Sequence, residues 1–329
     1  MKLAVVILNW NGKELLETFL PSVVKHSQNA TIYVADNAST DASLAFIRTH
    51  YPSVKIIENK SNGGYAKGYN DALKHVEEPL FCLLNSDVEV TENWLTPIIN
   101  TFKAELETAI IQPKILDYKK KSHFEYAGAA GGFIDKYGYP YCRGRLFNTI
   151  EADTNQYNDT TPVFWASGAC FFIRKEVFSA LNGFDESFFA HMEEIDLCWR
   201  AYNLNYKTKY VGTSTVYHVG GATLNAINPK KTYLNFRNSL FCLSKNASGN
   251  LFALIFVRLV FDGFAALKFL VDLKPKHILA ILQAHFSFYR HLSTLLKKRT
   301  KSPQIKNYYT KNSIVWLYFA QKKRYYRDL

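Results

Sequence analysis

The chain has 329 residues, of which 48% are hydrophobic, and this is typical of a folded protein with one large domain or one domain and a smaller appendage. Its five cysteines form no CxxC pair, which argues against a disulfide framework or a structural zinc site and favours a reducing cytoplasmic compartment. The formal net charge of +12 is concentrated in residues 245–329, which hold 16 Lys and Arg against three acids.

The first half of the chain alternates short apolar runs with helix-like segments. The opening apolar run ends at Asn9, too early for a signal peptide, and therefore predicts a first strand. Leucines and other apolar residues recur at helical spacing over residues 13–26, and a polar helical stretch covers residues 41–49. Such alternation predicts a parallel, doubly wound sheet that binds ligands beyond the carboxyl ends of its strands. The predicted strands are residues 5–8, 31–34, 54–57 and 80–84.

Polar segments follow each of the four predicted strands and are expected to lie along one edge of the sheet. Asp87, which closes the last of them, is suited to a metal-bound pyrophosphate because hard cations use one or two carboxylates plus phosphate oxygens. Asn, Asp, Ser and Gly are also ordinary turn and helix-cap residues, so each segment alone has a purely structural alternative. The four segments are Asn9-Trp10-Asn11-Gly12, Asp36-Asn37-Ala38-Ser39-Thr40-Asp41, Asn59-Lys60-Ser61-Asn62-Gly63-Gly64 and Asn85-Ser86-Asp87.

A second group of acids lies further along the chain. A helix is predicted to begin near Glu193, which places Glu193 and Glu194 in its first turn. Carboxylates there complement the helix dipole and stay ionised, which suits a catalytic base. The alternative is a structural role, because acids at helix starts are common stabilisers. Asp196 and Arg200, four residues apart, are spaced for a structural ion pair. His218 follows a strand-like run, where a lone histidine is a metal ligand, a surface residue or a hydrogen-bonded core residue.

Taken together, the motifs resemble those of family 2 glycosyltransferases, especially the bacterial rhamnosyltransferase-like branch, over residues 3–238. The resemblance implies a GT-A fold, which is an α/β fold with a Rossmann-like, mostly parallel sheet, in a catalytic domain of residues 1–240. It also implies a nucleoside-diphosphate sugar donor of the dTDP-rhamnose or UDP-sugar type, a divalent metal, and transfer with inversion at the anomeric carbon. The motifs, in chain order, are Val6-Ile7-Leu8-Asn9-Trp10-Asn11-Gly12, Asp36-Asn37-Ala38-Ser39-Thr40-Asp41, Asn62-Gly63-Gly64-Tyr65-Ala66-Lys67-Gly68-Tyr69-Asn70, Leu83-Leu84-Asn85-Ser86-Asp87, Gly168-Ala169-Cys170, Gly183-Phe184-Asp185-Glu186, Glu193-Glu194-Ile195-Asp196-Leu197-Cys198-Trp199-Arg200 and Tyr217-His218.

The resemblance also assigns roles to individual residues. Glu194 takes the position of the catalytic base, with Glu193 and Asp196 as fallback candidates. Mn²⁺ or Mg²⁺ would be held by Asp87 and His218, although Asn85 stands where the family's DxD motif has its first Asp. The residues expected to bind the donor are Asn9, Asn11, Asp36, Ser39, Asn62, Gly63, Asn70, Asn85, Ser86 and Asp87.

Residues 241–329 are expected to form a basic, helical extension. Residues 251–273 are apolar but contain Arg258 and Asp262, so amphipathic helices fit better than a membrane-spanning helix. Such helices either lie on an anionic membrane surface, at the inner face of the cytoplasmic membrane, or pack on the catalytic domain with a solvated basic face. No recognisable nucleic-acid module is present.

The expected acceptor is a glycan or a lipid-linked saccharide in cell-surface polysaccharide synthesis. Aromatic walls for it could come from Phe164, Trp165, Trp199 and Tyr202, with His191 nearby, although core packing is the more usual role for most of these aromatic residues. Arg237 could reach the diphosphate or be solvated.

Two alternative functions remain open: a sugar nucleotidyltransferase, although its Gly-rich, Arg-bearing loop after the first strand is missing, and a non-catalytic polysaccharide or membrane scaffold with the same fold. NAD chemistry is disfavoured, because no GxGxxG follows the first strand.

Overall fold

The structure is a computed structural model that describes residues 1–220, 228–300 and 303–329. Its helices are α1 (Lys13–His26), α2 (Ser43–His50), α3 (Gly64–Ala72), α4 (Leu95–Ala104), α5 (Lys175–Ala180), α6 (Glu193–Asn203), α7 (Pro229–Asn246), α8 (Leu251–Val271) and α9 (Pro275–Thr300). Its strands are β1 (Leu3–Asn9), β2 (Thr31–Asp36), β3 (Lys55–Glu58), β4 (Leu80–Asn85), β5 (Val88–Val90), β6 (Thr108–Asp117), β7 (Gly132–Ile134), β8 (Pro140–Cys142), β9 (Arg145–Leu146), β10 (Thr149–Ile150), β11 (Thr160–Val163), β12 (Cys170–Arg174) and β13 (Lys207–His218). The predicted helix over residues 13–26 and the helix beginning at Glu193 are confirmed, as are four strands at the predicted places.

The main sheet has the strand order β11-β13-β6-β12-β4-β1-β2-β3, and β5 pairs with β13. Strands β3, β2, β1 and β4 run parallel, which confirms the doubly wound first half. Strand β12 lies antiparallel between β4 and β6, so the sheet as a whole is mixed. The predicted α/β fold class of the GT-A type is confirmed. The carboxyl ends of β1, β2, β3 and β4 open on one edge, where ligands bind in such sheets.

Side chains of the central strands alternate between two buried layers. On β4, Leu80, Cys82 and Leu84 join one hydrophobic cluster, whereas Phe81 and Leu83 join the other. A strand buried on both faces has no polar face, which explains why its sequence is a continuous apolar run. The first polar residues after such a run emerge together at the open edge.

The C-terminal helices pack on the catalytic domain. Helix α7 runs from residue 229 to residue 246 and therefore crosses the boundary predicted at residue 240. Buried Lys245 near its end contacts Asp185 at 2.6 Å and Asp196 at 2.8 Å. Lys298 of α9 contacts the same Asp185 at 2.7 Å. These ion pairs join the extension to the segment that carries the predicted base.

Helix α8 has two charged residues on its buried side and apolar residues on its exposed side. Its charged residues Arg258 and Asp262 are buried and paired at 2.8 Å, and Asp262 also accepts a hydrogen bond from Tyr139. Its outward face is apolar, with Phe252 82% exposed and Phe256 and Phe264 about 60% exposed. The predicted solvated basic face is therefore wrong for this helix, because the internal charges are satisfied inside the protein. In the part of the chain that the structure describes, no helix combines the length and hydrophobicity needed to cross a bilayer.

Candidate active site

The loops after β1 and β2 are joined by polar side chains. The Asn9 amide donates to Asp36 Oδ1 at 3.1 Å, and the Ser39 backbone N–H donates to Asp36 Oδ2 at 2.8 Å. Ser39 Oγ accepts from the backbone N–H of Asn11 at 2.8 Å. Asn9 Oδ1 is buried and has no partner, so one acceptor in this cluster remains available. The predicted donor-binding residues Asn9, Asn11, Asp36 and Ser39 thus lie together.

The loop after β3 continues this edge. Asn62 Oδ1 accepts from the Asn37 amide at 3.0 Å and from the backbone N–H of Gly64 at 2.9 Å. Gly64 has φ +79°, and a Cβ there would lie 2.5 Å from the carbonyl oxygen of Phe189. Glycine is therefore required at position 64. Gly63, which precedes α3, also has no side chain, so a ligand can come close to the backbone at the start of this helix. Because Gly64 lies so close to the backbone of Phe189, the predicted donor-binding loop packs against the segment that precedes the predicted base.

Asn70 has a different environment from the other predicted donor-binding residues. Its side-chain amide donates to the carbonyl of Phe184 and accepts from the backbone N–H of Phe184, both at 2.9 Å. This pair of hydrogen bonds ties α3 to the loop that begins at Gly183. The structure therefore gives Asn70 a loop-holding position.

The segment after β4 leads to a carboxylate, imidazole and carboxylate in a row. His218 Nε2 lies 3.2 Å from Asp87 Oδ1, and its Nδ1 lies 3.5 Å from Glu125 Oε1. All three side chains are buried. Burial alone would lower the pKa of His218, but the two carboxylates raise it to about 10. Asn85 and Ser86, which precede Asp87, are partly exposed at the mouth of this group.

The geometry of Asp87 and His218 fits a cation that replaces the proton on His218 Nε2, because only a neutral imidazole binds a metal. Two neighbouring ligand atoms on an octahedral ion with bonds of 2.0–2.1 Å lie about 3 Å apart, close to the separation of Asp87 Oδ1 and His218 Nε2. Glu125 stands where a carboxylate would orient the imidazole through its other nitrogen. Among the described residues, no three His, Cys, Asp or Glu side chains converge to enclose a metal by themselves. Donor phosphate oxygens or water would have to complete such a site.

The segment before α6, residues 187–191, has a strained backbone. Phe189, His191 and Met192 have φ of 63°, 69° and 72°, a backbone region that residues other than glycine seldom adopt. Asn238 of α7 holds the segment by donating to the carbonyls of Phe188, Ala190 and His191 at 2.7–3.0 Å. We call residues 187–191 the clamped loop. Strain held by its surroundings in this way is common at active sites.

Arg237 also belongs to this clamp. Its guanidinium donates to the carbonyls of Ser187 and Phe188 at 3.1 and 3.0 Å. Arg237 is therefore not fully solvated, which was one of the roles considered from the sequence.

The clamped loop leads directly to Glu193 and Glu194 in the first turn of α6. Burial raises the pKa of Glu194 to about 7, against the opposing effect of backbone N–H donors. The side chain of Glu194 is partly exposed and lies beside Gly168, where a Cβ would approach its carboxyl carbon to 3.8 Å. Burial, with the neighbouring charge of Glu194, also raises the pKa of Glu193, whose Oε2 has no partner. A carboxyl group poised near neutral pH suits general-base chemistry.

Asp196, the other fallback candidate, is fully buried. It pairs with Arg200 and Lys245, each at 2.8 Å, and accepts from the Asn246 amide at 2.8 Å. Burial acts to raise its pKa, but Lys245 and Arg200 lower it. A carboxylate so fully paired is suited to a structural role, so Glu194 is the stronger candidate for the base.

The structure also places residues that sequence reasoning misjudged or missed. Trp165 and Trp199 are 2% and 0% exposed, so the core interpretation is correct and they line no acceptor site. Phe164 is likewise buried, whereas Tyr202 is partly exposed. Glu125 was missed because it lies outside every motif, and its only signal is proximity to His218 in the fold.

His191 is partly exposed, and burial lowers its pKa to about 4, which makes it neutral at physiological pH. Its Nε2 is buried without a hydrogen-bond partner. It therefore adds a neutral ring to the clamped loop.

Comparison with known proteins identifies the relatives of the chain. The N-acetylglucosaminyl-diphospho-decaprenol L-rhamnosyltransferase of Mycobacterium tuberculosis is 23% identical over 231 residues, which cover 66% of this chain and 75% of the relative. Two solved structures share the fold. S. aureus TarS 1-349 in complex with UDP-GlcNAc has a TM-score of 0.55 at 15% identity and covers 92% of each chain. The mannosyltransferase PcManGT from Pyrobaculum calidifontis, in complex with GDP-Man and Mn²⁺, has a TM-score of 0.53 at 13% identity, over 91% of this chain and 84% of that one.

A model of the family described as "Glycosyl transferase family 2" matches residues 4–181, more than half of the chain. The match spans all the strand-end segments from Asn9 to Asp87. The chain therefore belongs to glycosyl transferase family 2.

Proposed function

We propose that the protein is an inverting glycosyltransferase that moves a sugar from a nucleoside-diphosphate donor to a glycan or lipid-linked acceptor in cell-surface polysaccharide synthesis. The observation that carries this proposal is Glu194. It is a partly exposed carboxyl group with a pKa of about 7, beside the edge where Asn9, Asp36 and Asn62 lie together. In this role Glu194 removes the proton of the acceptor hydroxyl as that oxygen attacks the anomeric carbon.

The donor is proposed to bind along the strand ends. Asp36, held by Asn9 and Ser39, would accept hydrogen bonds from the base or ribose, and the Asn62-Gly63-Gly64 turn allows the backbone to approach the nucleotide. The rhamnosyltransferase relative favours a dTDP-rhamnose donor, whereas TarS and PcManGT are bound to UDP-GlcNAc and GDP-Man. A hexosyl or rhamnosyl donor on a dTDP or UDP carrier is thus the proposed class.

A divalent cation, Mn²⁺ or Mg²⁺, is proposed to be held by Asp87 and His218, with Glu125 orienting the imidazole. The Mn²⁺ in the PcManGT structure supports the use of a divalent cation. When bound, the ion would neutralise charge that develops on the departing diphosphate. Asn85 and Ser86 lie at the same opening and would contact the donor.

Calorimetric titration with a panel of nucleotide sugars tests the proposal. We expect one donor to bind with micromolar affinity in Mn²⁺ and at least tenfold more weakly after EDTA, because the cation bridges protein and diphosphate. Asp87→Ala should remove the difference between the two conditions. Asp71→Ala, at an exposed ion pair of α3, is the matched control and should keep it.

Binding of no donor by the wild-type protein would instead favour the non-catalytic scaffold. Pyrophosphate release from a nucleoside triphosphate in the presence of a sugar phosphate would favour the nucleotidyltransferase. Both outcomes would contradict the proposed transfer reaction.

A peripheral position on the inner face of the cytoplasmic membrane is also proposed, with an anionic lipid surface as the partner. Support comes from the apolar outer face of α8, defined by Phe252, Phe256, Val260, Phe264 and Leu267. The turn between α8 and α9 adds Leu273, 86% exposed, next to Lys274 and Lys276. Exposed apolar area flanked by lysines is typical of interfacial membrane binding, and the lysines would be attracted to anionic headgroups.

Vesicle sedimentation tests this surface. We expect the triple variant Phe252→Ser, Phe256→Ser, Phe264→Ser to lose at least tenfold in affinity for vesicles that contain anionic lipid, because each exposed Phe buries apolar area in the bilayer. Leu106→Ser, at a residue that is 80% exposed in the connection between α4 and β6 and outside α8 and α9, is the control and should bind like wild type. Equal binding by the triple variant and wild type would contradict the proposal.

A further inference from the structure

A groove runs between α7 and α9 outside the candidate active site. It consists of two adjoining hollows of about 780 and 310 Å³ that share Tyr233 and Gln283 in their walls. Because both hollows lie along the same pair of helices, they form one elongated groove. Nothing in the proposed donor site uses it.

The two sides of the groove differ in chemistry. Four basic residues line it, and none of the described lining residues is Asp or Glu; the four are Lys230, Arg237, Lys276 and Arg290. The apolar wall is formed by Leu279, Leu282 and Phe286 of α9, which are 55%, 59% and 72% exposed. Such a groove complements a ligand that joins an anionic group to a hydrocarbon chain.

The charge of Arg237 is available to such a ligand. Its guanidinium donates to the carbonyls of Ser187 and Phe188, the Asn238 amide oxygen and the Tyr233 hydroxyl, all of which are neutral. Among the described residues it forms no ion pair within 4 Å. A buried or half-buried guanidinium without a counter-ion attracts phosphate strongly.

The groove adjoins the candidate active site through α7. The Lys230 ammonium lies 5.5 Å from the ring of Phe189, and Arg237 bonds the carbonyl of Phe188, both in the clamped loop. The clamped loop leads to Glu194 within a few residues. A phosphate in the groove therefore lies against α7, the helix whose Arg237 holds the loop before Glu194.

We propose that the groove binds the isoprenoid diphosphate part of a lipid-linked acceptor, an inference that rests on the proposed glycosyltransferase function. The basic side, with Arg237 and Arg290, holds the phosphates, and the apolar wall of α9 holds the first isoprenoid units. Since Leu279, Leu282 and Phe286 are exposed along α9, the rest of the lipid passes along this helix. The groove thus selects the carrier, and the strand ends select the donor.

Calorimetry with farnesyl diphosphate in EDTA tests the groove. We expect Arg290→Glu to weaken binding at least tenfold, because it replaces a cation in the groove with an anion. Phe286→Ser should weaken farnesyl diphosphate by several-fold and leave inorganic pyrophosphate unchanged, since only the hydrocarbon contact is lost. Lys103→Glu, which makes the same charge change at an exposed residue of α4 outside the groove, is the matched control and should bind farnesyl diphosphate like wild type.

Two further measurements separate the groove from the donor site. If farnesyl diphosphate occupies the donor site instead, an excess of nucleotide sugar will displace it and Arg290→Glu will not weaken it, which would overturn the proposal. Equal affinity of the wild type for inorganic pyrophosphate and farnesyl diphosphate would overturn the lipid part, and no binding of farnesyl diphosphate at millimolar concentration would overturn all of it. Nucleotide-sugar binding by Arg290→Glu should equal that of wild type, so loss of the groove and failure of the glycosyltransferase proposal give different results.

Discussion

Replacing Glu194 with Gln is expected to lower the rate of sugar transfer by roughly 10²–10⁴-fold, the usual contribution of a general base. The amide keeps the shape of the side chain but cannot accept the acceptor's proton. Donor affinity should change little, because Glu194 lies beside Gly168 and not among the strand-end residues. The measurement is single-turnover transfer together with calorimetric donor binding, with Glu186→Gln, an exposed acid outside α6, as the control.

The pH profile gives an independent check on the same residue. Glu194 must be ionised to act, and burial raises its pKa to about 7, so kcat/KM should rise with pH through an apparent pKa near 7. The raised pKa also affects the free energy of unfolding. The stability that protonated Glu194 contributes is lost as pH rises through about 7, because the folded state then holds a carboxylate that burial disfavours. Glu194→Gln should therefore be at least as stable as wild type at pH 8. Near-normal turnover by this variant would reject Glu194 as the base.

Replacing Lys245 with Met is expected to cost about 3–5 kcal/mol in the free energy of unfolding, the range for breaking one side of a buried ion pair. Lys245 is buried and lies within 2.8 Å of both Asp185 and Asp196, so its loss leaves two carboxylates less well compensated. It also lies 5.1 Å from the ring of Phe188, at the start of the clamped loop. Urea unfolding measures the effect.

Lys268→Met provides the matched control for this variant. Lys268 also lies in a C-terminal helix and pairs with an acid, Asp272, but the pair is exposed and its loss should leave stability within experimental error. The pH dependence should follow the aspartates. Burial opposes ionisation of Asp185 and Asp196, but Lys245 and other nearby cations lower the pKa of both carboxyl groups. The stability that the two ionised aspartates contribute is therefore present above the unfolded pKa of about 3.9 and is lost as pH falls below it. Equal stability of Lys245→Met and wild type at pH 7 would contradict the assignment.

The strand ends and the helix start were predictable because each rests on local sequence pattern. Continuous apolar runs identify strands buried on both faces, and the polar residues that follow them identify the edge where Asn9, Asp36, Asn62 and Asp87 lie. The start of α6 at Glu193 follows from helical spacing in one stretch of chain. Both arguments need only residues that are close in sequence.

The remaining features depend on contacts between distant residues. Glu125 reaches His218 across 93 positions, so no local pattern indicates it. The antiparallel insertion of β12 between β4 and β6 follows from tertiary packing, and its five buried residues would fit either direction. The orientation of α8 could not be predicted from its composition, because its apolar and its charged residues would each allow their face to point inward. The hydrogen bonds of Asp262 with Tyr139 and His285, which are distant in sequence, decide that the charged face is buried.

The bonds from Asn238 to residues 187–191 have a consequence for dissecting this enzyme into fragments. A chain cut at residue 240 keeps every motif of the family but removes the last turn and a half of α7, including Lys245, and leaves Asn238 within a fraying helix end. The loop before Glu194 would then relax toward ordinary backbone angles. The shortest active fragment should therefore extend beyond residue 240 and include the packed helices. Removing the extension to gain solubility would also remove the support of the loop before Glu194, the proposed base.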